Sequence, residues 1–89
     1  MARAWEADPS AQFDRRLGKS ARELGRSDDD NECPDIWMLD NGDVAVIGRD
    51  MTPSYASRLP DGVALSSDEG LIVLPGNMLI AAKADIPDA

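Results

Sequence analysis

Apolar residues in the middle of this chain occupy nearly every position on both sides of a short polar centre. The stretch IWMLDNGDVAVIG, from Ile36 to Gly48, is interrupted only by Asp-Asn-Gly-Asp at positions 40–43. An Asn-Gly pair between two apolar runs favours a two-residue type I′ turn, in which both residues adopt positive φ. The pattern therefore predicts a β-hairpin that is closed by Asn41 and Gly42.

A two-residue turn would fix how the two strands of this hairpin pair. Leu39 would lie opposite Val44, and Trp37 would lie opposite Val46. Side chains alternate between the two faces of a sheet, so these four residues would share one face. The other face would carry four further apolar residues: Ile36, Met38, Ala45 and Ile47. Both faces of the hairpin are therefore expected to need a cover.

The N-terminal segment has a helical period. Between Ser10 and Gly25, apolar side chains recur at intervals of three and four residues, on one side of a predicted helix. They are Phe13, Leu17, Ala21 and Leu24. The opposite side would carry a basic stripe of Arg15, Lys19, Arg22 and Arg26. Gly18 weakens such a helix by about 1 kcal/mol relative to alanine, and Gly25 is a typical C-terminal stop. We expect an amphipathic helix, and either its apolar side or a partner protein would cover the second face of the hairpin.

Three further elements are predicted after the hairpin. Thr52-Pro53 is a typical helix start, and the apolar run over residues 70–75 predicts a buried strand. A second helix is expected over about residues 78–84. The predicted fold class is therefore α+β, with an amphipathic N-terminal helix followed by β-β-α-β-α and a small three-stranded mixed sheet. The last strand would return parallel to its neighbour through a right-handed crossover.

Charge divides the chain into unequal parts. The 89 residues carry a net charge of −8, with six basic and four acidic side chains in residues 1–27 but three basic and thirteen acidic ones in residues 28–89. The run SDDDNE, which begins at Ser27, favours a solvated link between them. We therefore expect an amphipathic helical arm over residues 1–27, an acidic linker over 28–32 and a small α+β body over 33–89. The acidic body disfavours direct binding to nucleic acid or to an anionic membrane.

Few residues of this chain could carry catalysis. It has no histidine and a single cysteine, Cys33. A thiol nucleophile needs a neighbouring base, and the nearest side chains, Glu32 and Asp35, are acids that disfavour the thiolate. The acidic run lacks the alternating ligands of a calcium-binding loop, and zinc would need more histidine or cysteine. We predict no metal and no cofactor, and we keep a thiol-dependent or acid/base activity of Cys33 with Asp35 as an alternative.

The sequence also bears on the cellular location. No apolar run approaches the roughly 20 residues that a membrane-spanning helix requires. The first residues, MARAWEADPSAQF, contain no apolar core of a signal peptide. A single cysteine cannot form an internal disulfide, which is typical of a reducing compartment. We therefore expect a cytoplasmic protein.

The body resembles a group of short proteins from high-GC actinobacteria. The likeness covers roughly residues 33–86 and rests on the segments CPDIWMLDNGDVAVIGRDMT, RLP and LIVLPGNMLIAAKADI. The shared pattern is Cys-Pro-Asp-Ile, then Leu-Asp-x-Gly-Asp and Val-Ile-Gly-x-Asp, then Leu-Pro and a late Ala-Lys. These uncharacterised proteins look like companions of helix-turn-helix regulators. The resemblance implies a regulator as partner, and it carries over no catalytic or ligand residue.

These observations favour a small acidic protein-interaction module over an enzyme. It would dock an apolar sheet face onto another protein, such as a helix-turn-helix regulator, or onto its own copy as a homodimer. Trp37 is the expected anchor, since tryptophan is enriched among residues that dominate binding energy. The expected contact residues are Trp37, Leu39, Val44, Val46, Phe13, Leu17, Arg15, Lys19 and Arg22. A further alternative is an acidic mimic of nucleic acid that occupies a regulator's basic groove, and its binding would weaken steeply with salt.

Overall fold

The larger of two antiparallel sheets contains three strands. The computed structural model describes residues 4–27 and 34–87, and the strands follow the order β1 (Phe13–Arg16), β2 (Asp35–Leu39) and β3 (Val44–Ile47). β2 lies in the centre and is antiparallel to both neighbours. The N-terminal segment therefore supplies an edge strand of the same sheet as the hairpin.

The predicted N-terminal helix is wrong, because the chain forms β1 and then a sharp bend at Gly18. Gly18 has a φ of 81°, which residues with a side chain rarely adopt. A Cβ atom at this position would lie 2.8 Å from the backbone nitrogen of Ala82. The backbone N–H of Gly18 also donates a hydrogen bond of 2.7 Å to the carboxylate of Asp85. Gly18 thus approaches the C-terminal helix in a left-handed backbone conformation, which a continuous α-helix does not allow.

A single helical turn remains from the predicted helix, and it is held at both ends. At its start, the Ser20 hydroxyl accepts a hydrogen bond from the Glu23 N–H, and the Glu23 carboxylate accepts one from the Ser20 N–H. This reciprocal pair is a capping box. At its end, Gly25 has a φ of 72°, and the N–H of Arg26 donates to the carbonyl of Ala21 at 2.8 Å. That bond is typical of a helical turn that ends at a glycine, but the longer helix that was predicted to stop at Gly25 is absent.

The predicted hairpin is present, but its register differs from the prediction by one residue. Trp37 pairs with Ala45, and Ile36 pairs with Val46. The connection is a three-residue loop in which Gly42 alone has positive φ, at 90°. This geometry is a type I turn followed by a glycine bulge, the common alternative to the two-residue turn. The predicted pairing of Trp37 with Val46 is therefore wrong.

The observed register divides the apolar residues differently between the two faces of the sheet. One face, the Ile36 face, carries Ile36, Met38, Val44 and Val46. The other, the Trp37 face, carries Asp35, Trp37, Leu39, Ala45 and Ile47 from the hairpin and Phe13 and Arg16 from β1. The predicted grouping of Trp37 and Leu39 with Val44 and Val46 is accordingly replaced by a division between opposite faces.

The smaller sheet corrects the predicted crossover. Its strands β4 (Arg49–Asp50) and β5 (Ile72–Val73) are antiparallel, so neither the parallel return nor the mixed three-stranded sheet is present. The chain leaves the larger sheet at Gly48, where an added Cβ would lie 2.6 Å from a carbonyl oxygen of β5. The Thr52 hydroxyl then accepts a hydrogen bond of 2.8 Å from the N–H of Leu71. This bond holds Leu71, the residue before β5, beside the start of the helix that begins at Thr52. β5 therefore pairs with β4 in the antiparallel direction.

Two short helices follow the positions that the sequence indicates. α1 (Thr52–Tyr55) begins at the predicted Thr-Pro start and is extended by three residues of 3-10 helix. Hydrogen bonds from the side chain of Thr52 and then from its backbone hold the pKa of Asp50 below its usual value. α2 (Gly76–Ala82), which overlaps the predicted second helix, is the helix that packs on the larger sheet.

The core lies on the Ile36 face. Its buried residues come from the bend after β1, from β2 and from α2: Leu17, Ala21, Ile36, Met78 and Ala82. Leu24, Met38 and Leu74 pack against this cluster. Three of the four apolar residues of the predicted helix therefore do cover the sheet, but they do so from a bend and one helical turn.

Candidate functional site

Trp37 lies at the centre of a small aromatic and cationic cluster on the Trp37 face. Its ring meets that of Phe13 edge to face, with centroids 5.7 Å apart and an interplanar angle of 77°. The guanidinium carbon of Arg16 lies 4.9 Å from the centroid of the Trp37 ring. Edge-to-face rings and a cation over an aromatic face are both favourable geometries. β1 therefore supports the tryptophan from two sides without enclosing it.

An ion pair fixes the arginine of this cluster. The Nε and Nη2 atoms of Arg16 donate to the two carboxylate oxygens of Asp35 at 2.9 and 3.3 Å. Two parallel bonds of this kind orient a guanidinium more strictly than a single contact. The Arg16 and Asp35 side chains are 33% and 13% exposed, so the pair is partly shielded from water. The arginine is thus held in place over Trp37 before any partner arrives.

The remaining residues of the Trp37 face form an apolar strip that ends in acidic groups. Leu39 continues the strip along β2 beside Phe13, while Ala45 and Ile47 continue it along β3. Phe13 is 60% exposed and Ile47 is 37% exposed. The N–H of Leu39 donates to the carbonyl of Asp43, which places that residue at one end of the strip, with Asp35 at the other. The face therefore presents apolar surface between two carboxylates.

Only part of the predicted contact set lies on this face. Trp37, Leu39 and Phe13 are brought together, whereas Val44 and Val46 lie on the opposite face. Leu17 is 2% exposed and belongs to the core. The burial of Leu17 removes its side chain from any surface that a partner could reach.

The predicted basic residues do not form a stripe. Arg15 shares the Ile36 face with Met38, and its Nη1 donates to the carbonyl of Asp85 at 3.2 Å. Lys19 and Arg22 are exposed in and beside the helical turn. The helix prediction placed these residues on one side, and its loss disperses them.

Sequence reasoning missed Arg16 and Ile47 as members of the site. A strand pattern with a bulge explains Arg16, because β1 shifts register between Phe13 and Arg15 and thereby brings Arg16 opposite Trp37. The glycine-bulge turn would have placed Ile47 correctly, since it changes the pairing by one residue. Both residues could have been placed on this face only by a prediction that included a β-bulge in β1 and a bulged hairpin loop.

Apart from the Trp37 face, a cleft lies between the end of the helical turn and the smaller sheet. This cleft has a volume of about 450 Å³, and the described residues that line it include two arginines, Arg26 and Arg49. Its walls are otherwise apolar or backbone: Pro34, Gly48, Val73, Leu74 and Pro75. The Arg26 side chain is positioned by a contact of 3.4 Å between its Nε and the Oδ1 of Asn77.

The candidate for thiol chemistry lies outside the described residues. Cys33 and the acidic run 28–32 fall in the undescribed part of the chain, so the predicted roles of both stay predictions. Within residues 4–27 and 34–87, no three side chains capable of binding a metal lie close enough to share one. The same residues include no helix with the length and apolar character of a membrane span.

Comparison with known proteins adds no assignment to this geometry. The chain matches no family model, no curated protein and no solved structure.

Proposed function

We propose that this chain is a small protein-interaction module that docks another protein through the Trp37 face. The observation that carries the proposal is the aromatic pair of the exposed Phe13 and the half-buried Trp37, with Arg16 stacked over the Trp37 ring. Tryptophan and arginine are enriched among the residues that dominate binding free energy at protein interfaces. An aromatic pair that is already fixed loses little side-chain entropy on binding.

The surroundings of the aromatic pair indicate the chemistry of the partner. Asp35 and Asp43 lie at the two ends of the apolar strip, and the chain carries a net charge of −8. A partner would fit if it offered an apolar side chain to the strip and a basic group to Asp43, because the Asp35 carboxylate is already paired with Arg16. DNA-binding regulators carry such basic surfaces, which agrees with the partner implied by the resemblance to companions of helix-turn-helix regulators. We propose a regulator of this kind as the partner, met in the cytoplasm.

The test is an affinity capture from the native host with the wild type and with two matched tryptophan variants. Trp37→Ala should lose the captured partner, because the ring is the centre of the docking face. Trp5→Ala should retain it, because Trp5 is 62% exposed and lies outside the larger sheet. With the purified partner, we expect Trp37→Ala to weaken binding by about thirtyfold, as typical for a dominant interface residue. Equal binding by both variants would contradict the proposal.

Two measurements separate this proposal from its alternatives. Apolar docking should weaken little between low and high salt, whereas an acidic mimic of nucleic acid should lose affinity steeply. Cys33→Ser should leave partner binding unchanged, whereas a thiol-dependent activity would be abolished by the same substitution. Loss of function in Cys33→Ser together with full function in Trp37→Ala would favour the enzyme.

A further inference from the structure

The outer edge of β3 has backbone hydrogen-bonding groups that no other strand uses. Leu39 donates to the carbonyl of Asp43, and pairs of this type alternate along an antiparallel ladder. Ala45 therefore directs its N–H and C=O towards β2, while Val44 and Val46 direct theirs away from it. In the described part of the chain, no hydrogen bond to these four outward groups is present. They form a row of two donors and two acceptors at the sheet edge.

The two edges of the larger sheet differ in whether they can accept another strand. The β1 edge has the sequence FDRR, with three charged residues and a register shift beside Asp14. Charges and bulges are the common protections of an exposed edge. The β3 edge has the sequence VAVI, which is regular, uncharged and without proline. Only β3 therefore has the features of a strand that is ready to pair.

We propose that β3 pairs with β3 of a second copy of this chain, which makes a continuous six-stranded antiparallel sheet. The outward groups allow a two-fold axis that passes beside Ala45 in each copy. In this register Val44 of each copy lies opposite Val46 of the other, and the two pairs make four backbone hydrogen bonds. The smallest residue, Ala45, meets its own symmetry mate on the opposite face of the sheet.

Side-chain chemistry in this register favours a second copy as the occupant. Valine meets valine in both symmetric pairs, and Asp43 lies opposite Ile47 rather than opposite another acid. Val44 and Val46 are 51% and 46% exposed in the single chain, so pairing removes apolar surface from water. Because β1 is protected by its charges, the larger sheet, as the described residues form it, has one open edge in each copy, and association through this sheet ends at two.

The inferred dimer goes beyond the proposed docking, because it uses another surface. A two-fold axis perpendicular to the sheet leaves both Trp37 faces on the same side, so a dimer would present two docking faces to a partner. An interface of four residues per copy is small, so its affinity should be weak. Two copies of net charge −8 also repel one another, so added salt should strengthen the dimer by screening that repulsion.

The test is sedimentation of the full chain at concentrations from about 10 µM to about 1 mM, the range in which a small interface associates. We expect a reversible monomer–dimer equilibrium that shifts to dimer as salt rises. Amide exchange of Val44 and Val46 should slow with protein concentration, since their N–H groups become bonded. A chain that stays monomeric throughout, or whose association weakens with salt, would overturn the proposal.

A matched pair of substitutions tests whether β3 is the surface through which two copies associate. Val44→Lys should raise the dimer Kd about tenfold, because both symmetric valine pairs are lost. Val63→Lys is the control, since Val63 is also 51% exposed but lies in a loop outside both sheets. It makes the same change of charge and should leave the Kd unchanged. Equal effects of the two substitutions would show that charge alone controls association, and the β3 contact would be rejected.

Failure of the β3 pairing can be distinguished from failure of docking through the Trp37 face. Trp37→Ala should not change the dimer Kd, and Val44→Lys should leave the affinity of one chain for the regulator unchanged. A dimer that forms normally in Trp37→Ala supports the β3 contact even where regulator binding is lost. A dimer Kd that rises tenfold in Trp37→Ala would instead place self-association on the Trp37 face and overturn the β3 assignment.

Discussion

On the Ile36 face, alternate residues of β2 pack against α2 and the bend at Gly18, and Ile36 itself is 5% exposed. On the Trp37 face, the intervening residues of the same strand lie beside Phe13 and Arg16 and remain partly exposed. One strand of five residues thus contributes to a core on one side and to an open surface on the other. An apolar pattern on both faces of a strand therefore does not require two cores.

The residues of the two faces make different kinds of contact. At β2, the Ile36 face is covered by apolar side chains of the chain itself, so the contribution of this part to stability comes from removal of apolar area from water. The Trp37 face is bordered by the Arg16–Asp35 ion pair, and partly exposed pairs of this kind contribute little to stability. We therefore expect substitutions of the core residues on the Ile36 face to change folding and substitutions on the Trp37 face to change binding.

The largest effect is expected for truncation within the core. Met78 is 1% exposed and packs with Ile36 beneath the sheet. Met78→Ala should lower the free energy of unfolding by about 2–5 kcal/mol, since it removes buried methylenes and leaves a cavity. For a chain of this length, that loss is a large fraction of the total stability. Urea denaturation followed by circular dichroism measures it.

The matched substitution on the opposite face is Phe13→Ala. Phe13 is 60% exposed, so its loss should cost at most about 1.5 kcal/mol, the value of an aromatic pair. Its effect on partner binding should exceed its effect on stability. If Phe13→Ala destabilised the fold as much as Met78→Ala, the Trp37 face would be part of the core and the comparison between the faces would fail.

A third effect on stability is expected at two glycines that share a backbone conformation. Gly18 and Gly42 have φ of 81° and 90°, but an added Cβ would strike the backbone of α2 at Gly18 and would meet nothing within 4 Å at Gly42. Gly42→Ala should therefore cost about 1–2 kcal/mol from backbone strain alone. Gly18→Ala should cost more, because α2 must also shift away from the Ile36 face.

The difference between these two alanine variants measures how tightly the bend is packed on α2. Gly42→Ala is the control for strain, and both values come from the same urea titrations. A larger cost for Gly42→Ala than for Gly18→Ala would show that the Gly18 bend moves easily. A Gly42→Ala variant with unchanged stability would contradict the assigned hairpin loop.

The sequence allowed prediction of the elements whose signals are local. The Asn41-Gly42 pair indicates a hairpin, and the Thr52-Pro53 pair indicates the start of α1. Each depends on backbone preferences of two or three adjacent residues. The hairpin register could not be fixed in the same way, because an Asn-Gly pair is compatible with both a two-residue and a three-residue loop.

The elements that were predicted wrongly depend on contacts between distant residues. The spacing of Phe13, Leu17 and Ala21 fits a helix, yet it also fits a strand followed by a bend and a turn. The close approach of Gly18 to Ala82, two residues far apart in the sequence, favours the strand and bend over the helix. The candidate site was affected in turn, because Arg16 reaches Trp37 only when the segment before Gly18 is a strand.

The smallest predicted effect concerns the capping box that holds the helical turn on the Ile36 face. Hydrogen bonds from the Ser20 backbone and then from its hydroxyl lower the pKa of Glu23 from its usual 4.5. A carboxyl whose pKa is lower in the folded state stabilises the fold above pH 4.5, and this contribution is lost as the pH falls through the lowered value. Ser20 is buried at 8% exposure, so the box couples this titration to the packed face.

Glu23→Gln keeps the shape of the capping box and removes its charge. Above pH 4.5 the wild type should therefore be slightly more stable than Glu23→Gln, and this gap should close as the pH falls through the lowered pKa of Glu23. Asp8→Asn is the control, because hydrogen bonds from the side chain and then the backbone of Ser10 also lower the pKa of Asp8, but in an exposed turn away from the core. Urea titrations of the three proteins, with the protection factor of the Leu24 amide as a local probe, should show stronger protection above pH 4.5 only where Glu23 is present. A stability gap that does not change with pH would mean that the Glu23 charge does not stabilise the turn, and that the Ile36 face is held by its apolar contacts alone.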